Sequence, residues 1–189
     1  MLSSKYARDY RMDTETTDTG KVKRKMIYVG PLYRWEMEEA VLKKVRLFCL
    51  FLCLLGWGLF VGSMLFYSNL SRLIYVILPF ACLFLVLFFF SAGTCNLFLA
   101  KQPMSRERKD KTVDRIKASA FMGMLFCGGA FAGETAGMMV FKEFTGMGDF
   151  LFMAATVLLF FVFLCGFAAG RHLAVSEEKN PETAKWKDR

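Results

Sequence analysis

The sequence predicts an all-α integral membrane protein built as a bundle of four transmembrane helices. Three observations carry that prediction. Four apolar runs stand at 47–67, 73–100, 118–141 and 150–170, and a run of about 20 apolar residues is enough to cross the hydrocarbon core. Lys and Arg gather in alternate connections and avoid the others. The turns inside each pair of runs, SNLSR and KEFTGMGD, are too short to hold a domain. A soluble domain of this size could bury a core, but it would not need unbroken apolar runs of this length, and four in succession argue against one.

Residues 1–30 are polar and carry DTETTDTG. That composition predicts a disordered tail, closed by the punctuation of Gly30-Pro31. The first apolar run begins 46 residues in, far from where a secretory signal keeps its apolar region, so it is read as a true span. Residues 31–46 read as an amphipathic juxtamembrane helix from Tyr33 onward. Met37, Ala40, Val41, Val45 and Phe48 fall on one stripe at steps of three and four. Glu39 and Lys43 sit one turn apart, and Tyr33 and Trp35 suit the headgroup level. This helix lies on the interface or continues into the first span.

Residues 47–100 form a first transmembrane hairpin and 118–170 a second, with Ser71 and Asp149 at the positions of N-caps. Between them, the basic loop 101–117 breaks at Pro103 and can run as a charged helix from Ser105 into the third span. Its cations Arg106, Arg108, Lys109 and Lys111 are expected to face lipid or a partner. A tail of 171–189 closes the chain. The first flank, the middle loop and the last tail hold almost all the cations, while the other two connections hold one each, Arg72 and Lys142. The positive-inside rule then puts both termini and the middle loop in the cytoplasm.

The formal net charge of +8 is compatible with nucleic acid, but no aromatic-basic module is present. The cations flank the spans, where they meet anionic headgroups. The expected partners are therefore the bilayer and other membrane subunits, or a second copy of the chain. All six cysteines fall inside spans, where they act as small apolar residues, and no disulfide framework follows.

The hairpins overlay on each other. Lys44-Val45-Arg46 falls on Arg115-Ile116-Lys117, and at the same offset Gly58-Leu-Phe-Val-Gly62 falls on Gly129-Ala-Phe-Ala-Gly133. FLVLFFFSAG matches FVFLCGFAAG in the even spans. This predicts a tandem duplication whose copies share one membrane orientation, related by a pseudo-twofold axis along the bilayer normal. Gly58 and Gly62, with Gly129, Gly133 and Gly137, recur every four residues, the spacing of a groove for close helix approach. Spans one and three are thus expected to make the central contact.

One residue conflicts with its surroundings. Glu134 stands in GGAFAGETAGMMVF, seven residues before Phe141, or about 10 Å from the outer end of its helix. A mid-membrane acid costs about 2.5–3.5 kcal/mol, less away from the centre. It must find an interior face, a partner, or the neutral state. Ser63, Tyr75 and Thr156 lie at similar depth, and Pro79 cannot donate to the Tyr75 carbonyl. With these neutral partners Glu134 is expected to be protonated and to donate a hydrogen bond.

Little else suggests chemistry. His172 sits at a helix C-terminus, which favours a cation. No phosphate loop, nucleophile elbow or zinc-protease motif is present, so no catalytic residue, cofactor or metal is expected. The expected function is a non-enzymatic accessory or interaction subunit of a larger membrane system. The alternative is a small oligomeric proton- or cation-coupled transporter using Glu134. The expected location is a bacterial plasma membrane. The ending KWKDR resembles a di-lysine retrieval signal, which would mean the endoplasmic reticulum in a eukaryote.

Overall fold

The computed structural model describes residues 5–16, 22–65, 73–141 and 147–180. The first outer turn with Ser71, residues 142–146 of the second and the KWKDR ending lie outside the described residues. Four long helices dominate: α1 (Glu39–Leu65), α2 (Ile74–Leu99), α4 (Arg115–Phe141) and α5 (Met147–His172). Each is long and apolar enough to cross a membrane. A short α3 (Arg106–Lys109) and a π turn (Asp110–Asp114) lead into α4, so the helix does enter the third span from just past Ser105.

The helices pack as a ring. α4 lies against α2 and α5, and α1 against α5 and α2. α1 and α4 are therefore diagonal, and the expected central contact between spans one and three does not form. The reason lies in which glycines face inward. A Cβ added at Gly58 or Gly62 would meet nothing within 4 Å, so that pair lies on the outer face of α1. Close approach is made instead by Gly133, whose added Cβ would sit 2.9 Å from the Tyr75 carbonyl oxygen, and by Gly166, at 2.9 Å from the Phe90 ring. Gly123 abuts the Phe163 ring, and Gly93 and Gly170 receive Ile116. Phe90 and Phe163, both fully buried, meet edge to face at 6.2 Å between ring centres. Glycine here makes room for side chains of neighbouring helices at Gly93, Gly123, Gly166 and Gly170, and for the α2 backbone at Gly133.

The interior is thin. Leu83, Leu87, Phe90, Leu159 and Phe163 are fully buried, whereas Leu54, Phe51, Leu78, Leu85, Phe88, Val140 and Phe161 are exposed around the outside. In water such a surface would drive aggregation, but in lipid it is the required exterior. A charged shell caps one end of the ring, where Arg46, Lys101, Arg115, Lys117 and Arg171 stand; we call this the basic end.

The shell departs from the sequence reading. Residues 31–46 are not one helix. β3 (Leu32–Trp35) precedes α1, and it is the central strand of a sheet ordered β4-β3-β5, with β4 at Met104–Ser105 and β5 at Val175–Glu178. Leu32 pairs with both Ser105 and Glu178, and Trp35 with Val175. LYRW is aromatic and extended by preference, and its partners come from segments about 70 and 140 residues away, a pairing that local periodicity does not report. From Glu39 on, the helix continues into the first span. The tail expected to be disordered likewise contains a hairpin, β1 (Tyr10–Thr16) with β2 (Val22–Tyr28). Its register sets Asp13 opposite Lys25 and Glu15 opposite Lys23. The terminal segment 171–189 also contributes β5.

Side chains tie the shell together. Tyr28 is the hub: its hydroxyl donates to the Pro31 carbonyl at 2.8 Å and accepts from the Arg106 N–H at 2.9 Å. Asn180 donates to the carbonyls of Tyr28 and Gly30. Lys5 and Tyr6 both reach Asp110. Burial alone would raise the Asp110 carboxyl, but the hydrogen bonds from Lys5 and Tyr6 outweigh it and hold the group below its ordinary value.

Candidate functional site: a buried acid pair

Among the described residues, Glu134 is the largest polar side chain sealed in the bundle, with 0 % of its surface exposed. The sequence explains the placement. Its face of α4 continues through Cys127, Ala130 and Gly137, all buried, and the neighbouring Gly133 lets α2 approach until Tyr75 and Val76 touch it. α4 is thus pressed against α2 and α5 at the level of the acid. The Tyr75 carbonyl in this contact is the one that Pro79, inside α2, leaves without a helical donor.

Among the described residues, neither carboxyl oxygen of Glu134 has a hydrogen-bond partner. The three partners expected from the sequence do not supply one. Ser63 and Thr156 are buried as expected, but each hydroxyl donates back to its own helix, Ser63 to Phe60 at 2.7 Å and Thr156 to Phe152 at 2.9 Å. The Tyr75 side chain is 42 % exposed. Such back-bonding is the usual way a Ser or Thr satisfies itself within an apolar helix.

The structure adds a residue that the sequence reading placed elsewhere. Asp149 was expected to cap α5 from outside. Instead α5 begins at Met147, and Asp149 lies in its first turn with 1 % of its surface exposed. It lies close enough to Glu134 for the two carboxyls to interact electrostatically. Two carboxyls thus share the far end of the bundle. An acid in the first turn of a helix is favoured by the dipole, which hides a functional reading behind a structural one.

Other predicted residues are dispersed. Lys111 pairs with Glu107 one turn away at 2.5 Å, and Lys109 lies over the Tyr33 ring at 5.0 Å. Arg106 and Arg108 are exposed. Gly129 touches Pro79 at ordinary distance. A polar node that the sequence reading missed joins α1 to α2: the Trp57 indole donates to Ser91 Oγ at 2.9 Å, and Ser91 donates to the Leu87 carbonyl at 2.7 Å. Cys53 Sγ lies 3.0 Å from the same oxygen, and its thiol is the donor there because the Ser91 proton is already placed. Among the described residues no three His, Cys, Asp or Glu side chains group as metal ligands.

The fold and this site define a mostly helical chain with four helices fit to cross a membrane and an acid pair inside it. No family model, curated protein or solved structure matches the chain, so function is argued from the site itself.

Proposed function

We propose that the protein is a small proton- or cation-coupled membrane transporter, non-enzymatic, whose working residue is Glu134. One observation carries the reading: a carboxyl that is 0 % exposed, with neither oxygen bonded to any described residue. If the acid were interhelical glue, its hydrogen bond should be visible. If it served to contact another subunit, it should lie on the outer surface. A sealed acid with no hydrogen-bond partner among the described residues suits a site that takes up and releases a small cation or proton, because a desolvated carboxylate favours a neutralised state. Ionisable groups inside spans commonly mark such paths.

In this reading both termini and the basic end are cytoplasmic, as the cation distribution requires, and the plasma membrane is the setting. The hairpins α1/α2 and α4/α5 are tandem copies. The ring order α1-α2-α4-α5 supports that reading, since a twofold axis along the normal exchanges the two hairpins. Ser63 then marks in the first copy the place that Glu134 takes in the second.

A second reading has its own observation. Gly58 and Gly62 leave an open strip on the outer face of α1, and Arg106 and Arg108 are exposed at the basic end. An accessory subunit would dock a partner helix there, or a second copy of the chain.

Inside-out vesicles carrying the full chain separate these readings. A pH gradient is imposed, and Na+, K+ or an organic monoamine is added while a dye follows internal pH. Transport predicts that one of these cations dissipates the gradient, and that Glu134→Gln abolishes the effect while the protein remains inserted. A gradient untouched by every cation with wild-type protein would overturn the transporter reading.

A further inference from the structure

At the basic end, a cavity of about 490 Å³ opens between the start of α1 and the end of α2. Trp35, Glu39, Arg46, Lys101 and Gln102 line it. Two of its donors are unsatisfied. Trp35 is 5 % exposed, and its indole N–H has no acceptor among the described residues; the Arg46 Nε is also buried without one among them. Both groups donate and cannot accept. The guanidinium is held in place, because its Nη2 donates to the Ala100 carbonyl at 3.3 Å. A buried donor left unbonded costs about 1–3 kcal/mol, and more when charged. Two such donors facing one polar cavity indicate a missing acceptor, and the guanidinium indicates that it is an anion.

Position identifies the class of anion. Arg46 immediately precedes the first apolar run, and Lys101 immediately follows the second. The cavity therefore lies at the boundary between hydrocarbon and water, at headgroup level. Leu47 and Leu99, one and two residues further into the membrane than Arg46 and Lys101, are 62 % and 74 % exposed, so an acyl chain leaving the cavity would lie along them. Arg46 and Lys101 against Glu39 leave one positive charge in excess, the complement of one phosphodiester. Glu39 itself only accepts hydrogen bonds and suits a headgroup that carries hydroxyls.

We propose that this cavity binds the phosphodiester headgroup of an anionic phospholipid of the phosphatidylglycerol type. Arg46 Nε and Trp35 Nε1 donate to the phosphate, Lys101 adds charge, and Glu39 accepts from the glycerol hydroxyls. The lipid would bridge β3, α1 and the end of α2, and so join the shell to the bundle. This inference is independent of the role of Glu134.

The test is native mass spectrometry of the full chain in mild detergent, titrated with phosphatidylglycerol, phosphatidylcholine, and, as soluble sources of the same chemistry, inorganic phosphate and glycerol 3-phosphate. The expected result is one retained phosphatidylglycerol in preference to phosphatidylcholine. Trp35→Phe and Arg46→Gln should each weaken it by about tenfold, the scale of one charge-assisted hydrogen bond. Arg171→Gln, an exposed cation at the same end, should leave it unchanged. Trp35→Phe keeps an aromatic ring in place, so it remains informative if Arg46→Gln fails to fold. Equal retention of the two lipids, an unchanged affinity in Trp35→Phe, or displacement of the lipid by either soluble phosphate would overturn the proposal.

Discussion

Glu134 was visible as an anomaly in the sequence, and its inward face followed from Cys127, Ala130 and Gly137 on the same stripe. Its lack of partners was not visible. Ser63 and Thr156 look like partners in a list of polar residues at one depth, yet each is satisfied by its own backbone. That state has a consequence for stability. An unpartnered polar group in an apolar interior opposes folding, so Glu134→Met should raise stability, by about 1–3 kcal/mol, while destroying function. Had the acid been glue, the same change would lower stability. Thermal unfolding in detergent distinguishes the signs. The glycines give a second prediction at this scale. Gly58→Ala should be neutral or stabilising, gaining up to about 1 kcal/mol of helix propensity, because open space surrounds it. Gly133→Ala should destabilise, because its Cβ would sit 2.9 Å from a backbone oxygen that cannot easily yield. If unfolding temperatures rank the two glycines the other way, the ring packing is wrong.

At the level of elements, helices were legible because their apolar runs are local features. The strands were not. β3 reads as the start of a helix from its sequence, because Met37, Val41 and Val45 continue the apolar stripe beyond it. Only its pairing with β4 and β5 makes the extended form worthwhile. The same holds for the Trp57–Ser91 bond: a single Ser in an apolar helix carries no signal of which helix it faces. Ser91→Ala should strand the Trp57 indole and cost about 1–3 kcal/mol, seen as a loss of unfolding stability that Trp57→Phe in the same chain largely restores. The latch of Lys5 and Tyr6 on Asp110 is pH-dependent. Because the folded Asp110 group is held below its ordinary value, its contribution is present above the unfolded carboxylate range, about 3.9, and is lost as pH falls through the lower folded value. Lys5 is raised by the same contact, so its share persists through neutrality and is lost only at alkaline pH. Protection of residues 7–10 from hydrogen exchange, taken relative to the intrinsic rate at each pH, should therefore be high at neutral pH and fall in strong acid, and Asp110→Asn should remove the acid transition.

For the whole molecule, four helices fit to span a membrane were readable from run length alone, and the ring order was not. Run length reports how many helices there are, but neighbours are chosen by side-chain fit, here by Phe90, Phe163 and Ile116 against glycines. The sequence reading chose the diagonal pair because repeated glycines suggest a seam. In the folded chain one of those strips faces outward, which makes it a surface for lipid or for a partner helix. Gly58→Leu with Gly62→Leu should leave the monomer folded; a loss of assembly, read by native mass spectrometry, would favour the docking reading over lipid exposure.

The central claim is that the buried Glu134 carboxyl changes its protonation state as the protein works. Infrared difference spectroscopy of the reconstituted protein through a pH titration tests this most directly, by following the carbonyl stretch of a protonated carboxylic acid. The account predicts a band that appears and disappears reversibly with pH and is lost in Glu134→Gln. A wild-type spectrum with no titrating carboxyl band, or one identical to that of Glu134→Gln, would contradict it.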